Sequence, residues 1–131
     1  MNEMFFENKS KYTFDETVEK LTEIIGKNGW SIPHTHDLQA TMKKNGYEVS
    51  SVKVMELCKP DYAFRLLSDD SLRIYSNMMP CRISVYMKND GKTYVSRMNS
   101  AAMAAQIGGT VQETMSNAFR DVEQFIEKVA E

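Results

Sequence analysis

Cysteine, proline and glycine are scarce in this chain: 131 residues hold two, three and six of them. Two thiols allow a single bridge at most, so a disulfide scaffold is excluded. No glycine-rich loop precedes a helix in phosphate-binding form, and Gly108-Gly109 reads as a break between helices. No serine stands in a nucleophile-elbow sequence. An apolar run of the roughly 20 residues that cross a bilayer is also missing. The start, Met1-Asn2-Glu3-Met4-Phe5-Phe6-Glu7, has neither a basic segment nor a signal-like apolar stretch. A cytoplasmic location with reduced thiols is therefore expected. Excess charge of one sign is absent too, with 16 basic residues against 18 acidic and the lysines dispersed. Neither nucleic acid nor a membrane is expected as a partner.

What remains is an ordinary globular composition, 42% hydrophobic and 26% charged. A chain of this length buries about two-thirds of its unfolded surface, enough for one core without metal or disulfide support. There is no internal repeat, low-complexity stretch or linker, so residues 1–131 read as a single domain. Ten methionines supply adaptable filler for a core or an interface.

Met4 to Lys11 reads as a strand. Thr13-Phe14-Asp15-Glu16 is a capping box, and Val18, Leu21, Ile24 and Ile25 follow at helical spacing up to Asn28-Gly29. Trp30-Ser31-Ile32 predicts a short strand interrupted by Pro33. Asp37 can cap a two-turn helix to Lys44 that buries Leu38 and Met42. Val49 to Leu57 predicts a strand covered on both faces. Pro60 suits a helix start, with Ala63, Phe64, Leu66 and Leu67 as its apolar side.

Pro80 then opens the cleanest alternation in the chain. Cys81, Ile83, Val85 and Met87 point one way, and Arg82, Ser84, Tyr86 and Lys88 the other. Asn89-Asp90-Gly91-Lys92 is a hairpin signal leading to a strand from Thr93 to Met98. A short helix spans Ser100 to Ile107. Thr110-Val111-Gln112-Glu113 reads as a second capping box, opening a long helix striped by Val111, Met115, Phe119, Val122, Ile126 and Val129. The expected fold class is α+β, a mostly antiparallel sheet with helices packed on one face.

Cys58 precedes Lys59-Pro60-Asp61, so its sulfur is expected near a helix N-terminus, where amides and the helix dipole favour a thiolate. Cys81 shares the Ile83/Val85 face. The plain alternative makes both small core residues, since free cysteine is among the most buried types. Both stand beside a proline at a strand end and could meet at one rim of the sheet. Two thiols make half a tetrahedral zinc site, and His34 and His36 could complete a Cys2His2 set, although the spacing matches no zinc-finger signature. Exposed loop positions are the alternative for the histidines. No motif specifies a cofactor.

The segments Val54-Met55-Glu56-Leu57-Cys58-Lys59-Pro60-Asp61-Tyr62-Ala63 and Met79-Pro80-Cys81-Arg82-Ile83-Ser84-Val85-Tyr86, with Asp37-Leu38-Gln39-Ala40-Thr41, resemble the domain of unknown function 302 family. The resemblance runs from about Thr13 to the C-terminus. Members typically carry Cys-Asn-Pro or Gly-Asn-Pro after a strand and Leu-Pro-Cys or Leu-Pro at a strand start; here Lys59 replaces the asparagine, Met79 the leucine, and His36 an aliphatic residue. The resemblance implies a TATA-binding-protein-like arrangement and often a homodimer, and it carries no activity. The leading expectation is a small binding or interaction module that pairs with itself and holds a small ligand or metal near Cys58, Cys81 and Asp37. The alternative is a thiol-based redox or transfer enzyme using Cys58, with Cys81 as resolving partner. The third reading leaves both cysteines as packing residues, the protein acting through an assembly surface.

Overall fold

The computed structural model describes residues 4–131. Its elements are β1 (Phe5–Lys9), α1 (Phe14–Lys27), β2 (Ser31–Asp37), α2 (Leu38–Lys44), β3 (Val52–Cys58), α3 (Pro60–Leu67), a 3-10 segment (Arg73–Met78), β4 (Cys81–Met87), β5 (Thr93–Met98), α4 (Ser100–Ala105) and α5 (Gly109–Glu127). The five strands form one antiparallel sheet in the order β1-β5-β4-β3-β2. The fold is α+β, as the alternating strands and striped helices require.

Period-2 alternation decides which side of the sheet is core. Met55 pairs with Ile83, and Val85 with Val95, so the apolar phases of β3, β4 and β5 stand side by side on one face. These residues and Leu57 are buried against Leu21 and Ile25 of α1 and Val122, Phe125 and Ile126 of α5. A smaller cluster joins Leu66 of α3, Ala104 of α4, and Val111 and Met115 of α5. The hairpin between β4 and β5 turns at Gly91, whose φ of +78° is one that L side chains rarely adopt. An isolated antiparallel bridge joins Ser10, just after β1, to Ala130, just after α5. No helix among the described residues is long and apolar enough to cross a membrane.

Several elements depart from the sequence expectation. Instead of stopping at Pro33, β2 runs through it to Asp37. The strand lies on the sheet edge, and its register with β3 shifts between Ser31 and His34, so the missing N–H of proline breaks no central ladder. β3 starts at Val52, and Val49 lies exposed ahead of it. Helix α2 buries none of its residues: Leu38 is exposed and Met42 half-buried. Of the four apolar residues assigned to the inner side of α3, Leu66 alone is fully buried, while Phe64 is 69% exposed. Eight residues of helix cannot turn all four inward.

The two capping boxes also part company. At Thr13 both reciprocal bonds form: Glu16 N–H donates to Thr13 Oγ1, and Thr13 N–H donates to Glu16 Oε1. At α5 the cap is Gly108, with φ +77°, and Thr110 already lies inside the first turn. Glycine reaches that conformation without strain, so the helix begins before the box can form. Thr13→Ala is expected to cost about 1 kcal/mol in urea denaturation, whereas Thr110→Ala stays within about 0.5 kcal/mol of the parent. Equal losses at the two positions would contradict this assignment.

Candidate functional site

Cys81 opens β4 opposite Leu57, the residue before Cys58, which closes β3. The register thus brings the two cysteines to one end of the sheet. Both are free, both are half-buried, and both line a cavity of about 30 Å³ beneath α3 and α5. Burial pushes the Cys81 thiol up to about 11, with the neighbouring Cys58 and then Asp121 adding to the shift. A thiol held there is protonated at neutral pH and a poor nucleophile.

Trp30 and Tyr62 also line this cavity, and each donates a 3.2 Å hydrogen bond to Asp121 Oδ2. The Tyr62 hydroxyl is itself held above its usual range by burial and by that carboxylate. Thr114 adds a polar atom from α5. It is 1% exposed, and its Oγ1 has no hydrogen-bond partner in the protein.

Pro80 and Cys81 are shared with a larger pocket of about 140 Å³ on their other side. Its walls are apolar and rich in sulfur: Met78 from the 3-10 segment, Met98 at the end of β5, Met103 from α4, and Cys81. Phe119 and Val122 of α5 complete the apolar lining. Arg97, Asn77 and Ser100 add polar groups, and no carboxylate is among the lining residues; Arg82 also borders the pocket, but its side chain stands on the opposite strand phase, 3.9 Å from Glu56.

Arg97 is the unusual member. It pairs with Ile83 across the ladder, on the phase that also carries Val95 and Thr93, so its side chain stands on the core side and is 9% exposed. A buried guanidinium requires partners. Its Nε and Nη2 donate at 2.6 Å to the two oxygens of Glu123 on α5, and Nη1 donates to Asn8 Oδ1 on β1. Its Cζ lies 5.5 Å from the Phe6 ring centroid.

The remaining expected site residues lie elsewhere. Ser31 faces Cys58 at one end of β2, while Asp37 faces Lys53 at the other. The Asp37 carboxylate accepts from Ala40 N–H as the cap of α2, so it acts in the chain turn and not beside the cysteines. His34 and His36 have ring centroids 4.2 Å apart, and His36 Nε2 stands 3.0 Å from Glu56 Oε2. That hydrogen bond is the main reason the Glu56 carboxyl sits below its ordinary range. Among the described residues no three His, Cys, Asp or Glu side chains gather as a metal would need, so the Cys2His2 set does not assemble.

Sequence reasoning passed over Arg97, Glu123, Asn8 and Thr114. One signal was available: Thr93, Val95 and Arg97 share a strand phase, and a charged residue on a buried phase asks for a partner. The pairing of Cys81 chemistry with burial is directly measurable. In a Cys58→Ser background, where burial, the largest cause of the shift, remains, alkylation of Cys81 near pH 8 is expected to run well below the rate of an ordinary thiol. Reaction at the free-thiol rate would contradict the buried environment.

None of the curated proteins compared matches this chain. Among solved structures, the crystal structure of the uncharacterized conserved protein DUF302 from Bacillus stearothermophilus is similar, with a TM-score of 0.86 and 16% identity over 98% of this chain and 99% of that one. At that identity the likeness shows the fold. The model of the family described as "Domain of unknown function DUF302" matches residues 6–131, which spans both cysteine segments and the Asp37 turn. The chain belongs to the DUF302 family.

Proposed function

We propose that the protein is a small-ligand-binding module without turnover, its site the pocket walled by Cys81 with the Cys58 cavity behind it. The construction of the pocket carries this reading: an apolar lining of methionine, cysteine and aromatic side chains with a few polar groups is how small-molecule sites are built. Volume sets the size class. A cavity of about 150 Å³ takes benzene, so a pocket of about 140 Å³ suits compact molecules. Thioether side chains can adapt to several such shapes.

Thiol transfer is less well supported. Burial keeps Cys81, the resolving partner that this reading needs, protonated, and His36, which could serve as a base, is hydrogen-bonded to Glu56. Self-association is the second reading, favoured by the exposed apolar side of α3 and the 3-10 segment, where Phe64, Leu67 and Ile74 are uncovered.

Methyl NMR of protein labelled at methionine separates these readings. Compact apolar compounds are expected to shift the Met78, Met98 and Met103 methyls and leave Met42 and Met87 in place. A panel that moves none of the three would refute the ligand site. Translational diffusion in the same samples tests self-association: a dimer-sized particle supports it, and a particle of one chain at every concentration contradicts it.

A further inference from the structure

We infer that the pocket selects compact neutral molecules, an apolar body carrying one hydrogen-bond acceptor such as a carbonyl or ether oxygen. The inference rests on the ligand-binding reading and names the chemistry of the occupant.

The walls explain the body of such a molecule. Met78, Met103, Phe119 and Val122 offer no hydrogen bonds, so whatever lies against them gains by leaving water. Its neutrality follows from where the charges stand. Of the two arginines at the lining, Arg82 lies on the other strand phase beside Glu56, and the charge of Arg97 is answered by its bidentate pair with Glu123. An anion in the pocket would therefore leave water and gain no unpaired cation in return. A cation would find no carboxylate among the lining residues. Cys81, kept protonated by burial, adds no charge.

The acceptor follows from the hydrogens of Arg97. A guanidinium has five N–H donors and accepts nothing. Nε directs its single hydrogen to Glu123, Nη2 directs one of two to the same carboxylate, and Nη1 directs one of two to Asn8. Each terminal nitrogen thus keeps one N–H beyond these bonds, on a side chain that is 9% exposed and lines the pocket. A donor held away from water costs free energy until an acceptor meets it, and the apolar walls supply none. The oxygen of a ketone, ester or ether accepts without bringing charge, so it can take such a hydrogen and leave the pair with Glu123 intact. Asn77 and Ser100, uncharged groups that donate as well as accept, complete a polar lining suited to a neutral head.

Acetophenone, benzoate and ethylbenzene make the test, since their shapes are alike and they differ in the acceptor and its charge. Titrated into the full chain with the methionine methyls as the readout, acetophenone is expected to bind at least about tenfold more tightly than benzoate. The contact with Arg97 is read separately: acetophenone should shift the guanidinium N–H signals, and ethylbenzene should leave them in place. Arg97→Lys keeps a charge for Glu123 and loses the fork of donors, and it is expected to lower the affinity for acetophenone relative to ethylbenzene at least about tenfold. Should that variant fail to fold, the guanidinium signals of the parent decide the point. Benzoate bound as tightly as acetophenone overturns the neutral preference, and guanidinium signals that acetophenone does not move overturn the acceptor. Either result leaves the ligand site standing as long as the methyls shift. Binding of none of the three compounds overturns both the inference and the site.

Discussion

A guanidinium group keeps its charge throughout the physiological range, and placing one on the core side of a sheet obliges the structure to meet it. Arg97 is that group. Its partners come from the first strand, where Asn8 accepts, and from the last helix, where Glu123 binds bidentately. One side chain thus ties the β1 edge to β5 and sets the rotation of α5 against the sheet. With Glu123 turned toward Arg97, Val122, Phe125 and Ile126 face the core, and Phe119 falls over the pocket. The burial of the apolar side chains supplies most of the stability, and the ion pair determines how those elements sit relative to one another.

That geometry also gives the two cysteines their setting. They occupy one end of the sheet because β3 ends where β4 begins, and Pro80 with Cys81 forms a wall common to a narrow cavity and a wider pocket. Desolvation there suppresses ionisation of Cys81. An environment that keeps a thiol neutral and lines it with thioethers favours recognition of apolar surface over nucleophilic chemistry. The two cysteine segments thus frame a compartment, and the charge on its core side is that of Arg97.

Features governed by neighbours in sequence were legible before the structure. The Thr13-Glu16 capping box, the turn at Gly91, and the alternation of Cys81, Ile83 and Val85 each depend on contacts within a few residues or on strand period alone. Features decided by distant contacts were not. Arg97 and Asn8 lie 89 positions apart in the chain, and nothing local states that they meet. Pro33 stays in a strand because that strand is an edge, which is a property of the whole sheet. Thr110 fails as a cap because Gly108 starts the helix earlier, a competition between two adequate local signals. The convergence of Cys58 and Cys81 was readable from their places at strand ends, whereas the distance of Asp37 from them required the length and register of β2.

The role of the buried ion pair can be measured through Glu123, since its removal leaves Arg97 charged and without its main partner. Chemical denaturation of Glu123→Ala is expected to show a loss of at least about 2 kcal/mol, the cost of an uncompensated charge that is largely shielded from water. Stability within about 0.5 kcal/mol of the parent, the range of an ordinary surface substitution, would contradict the organising role of Arg97.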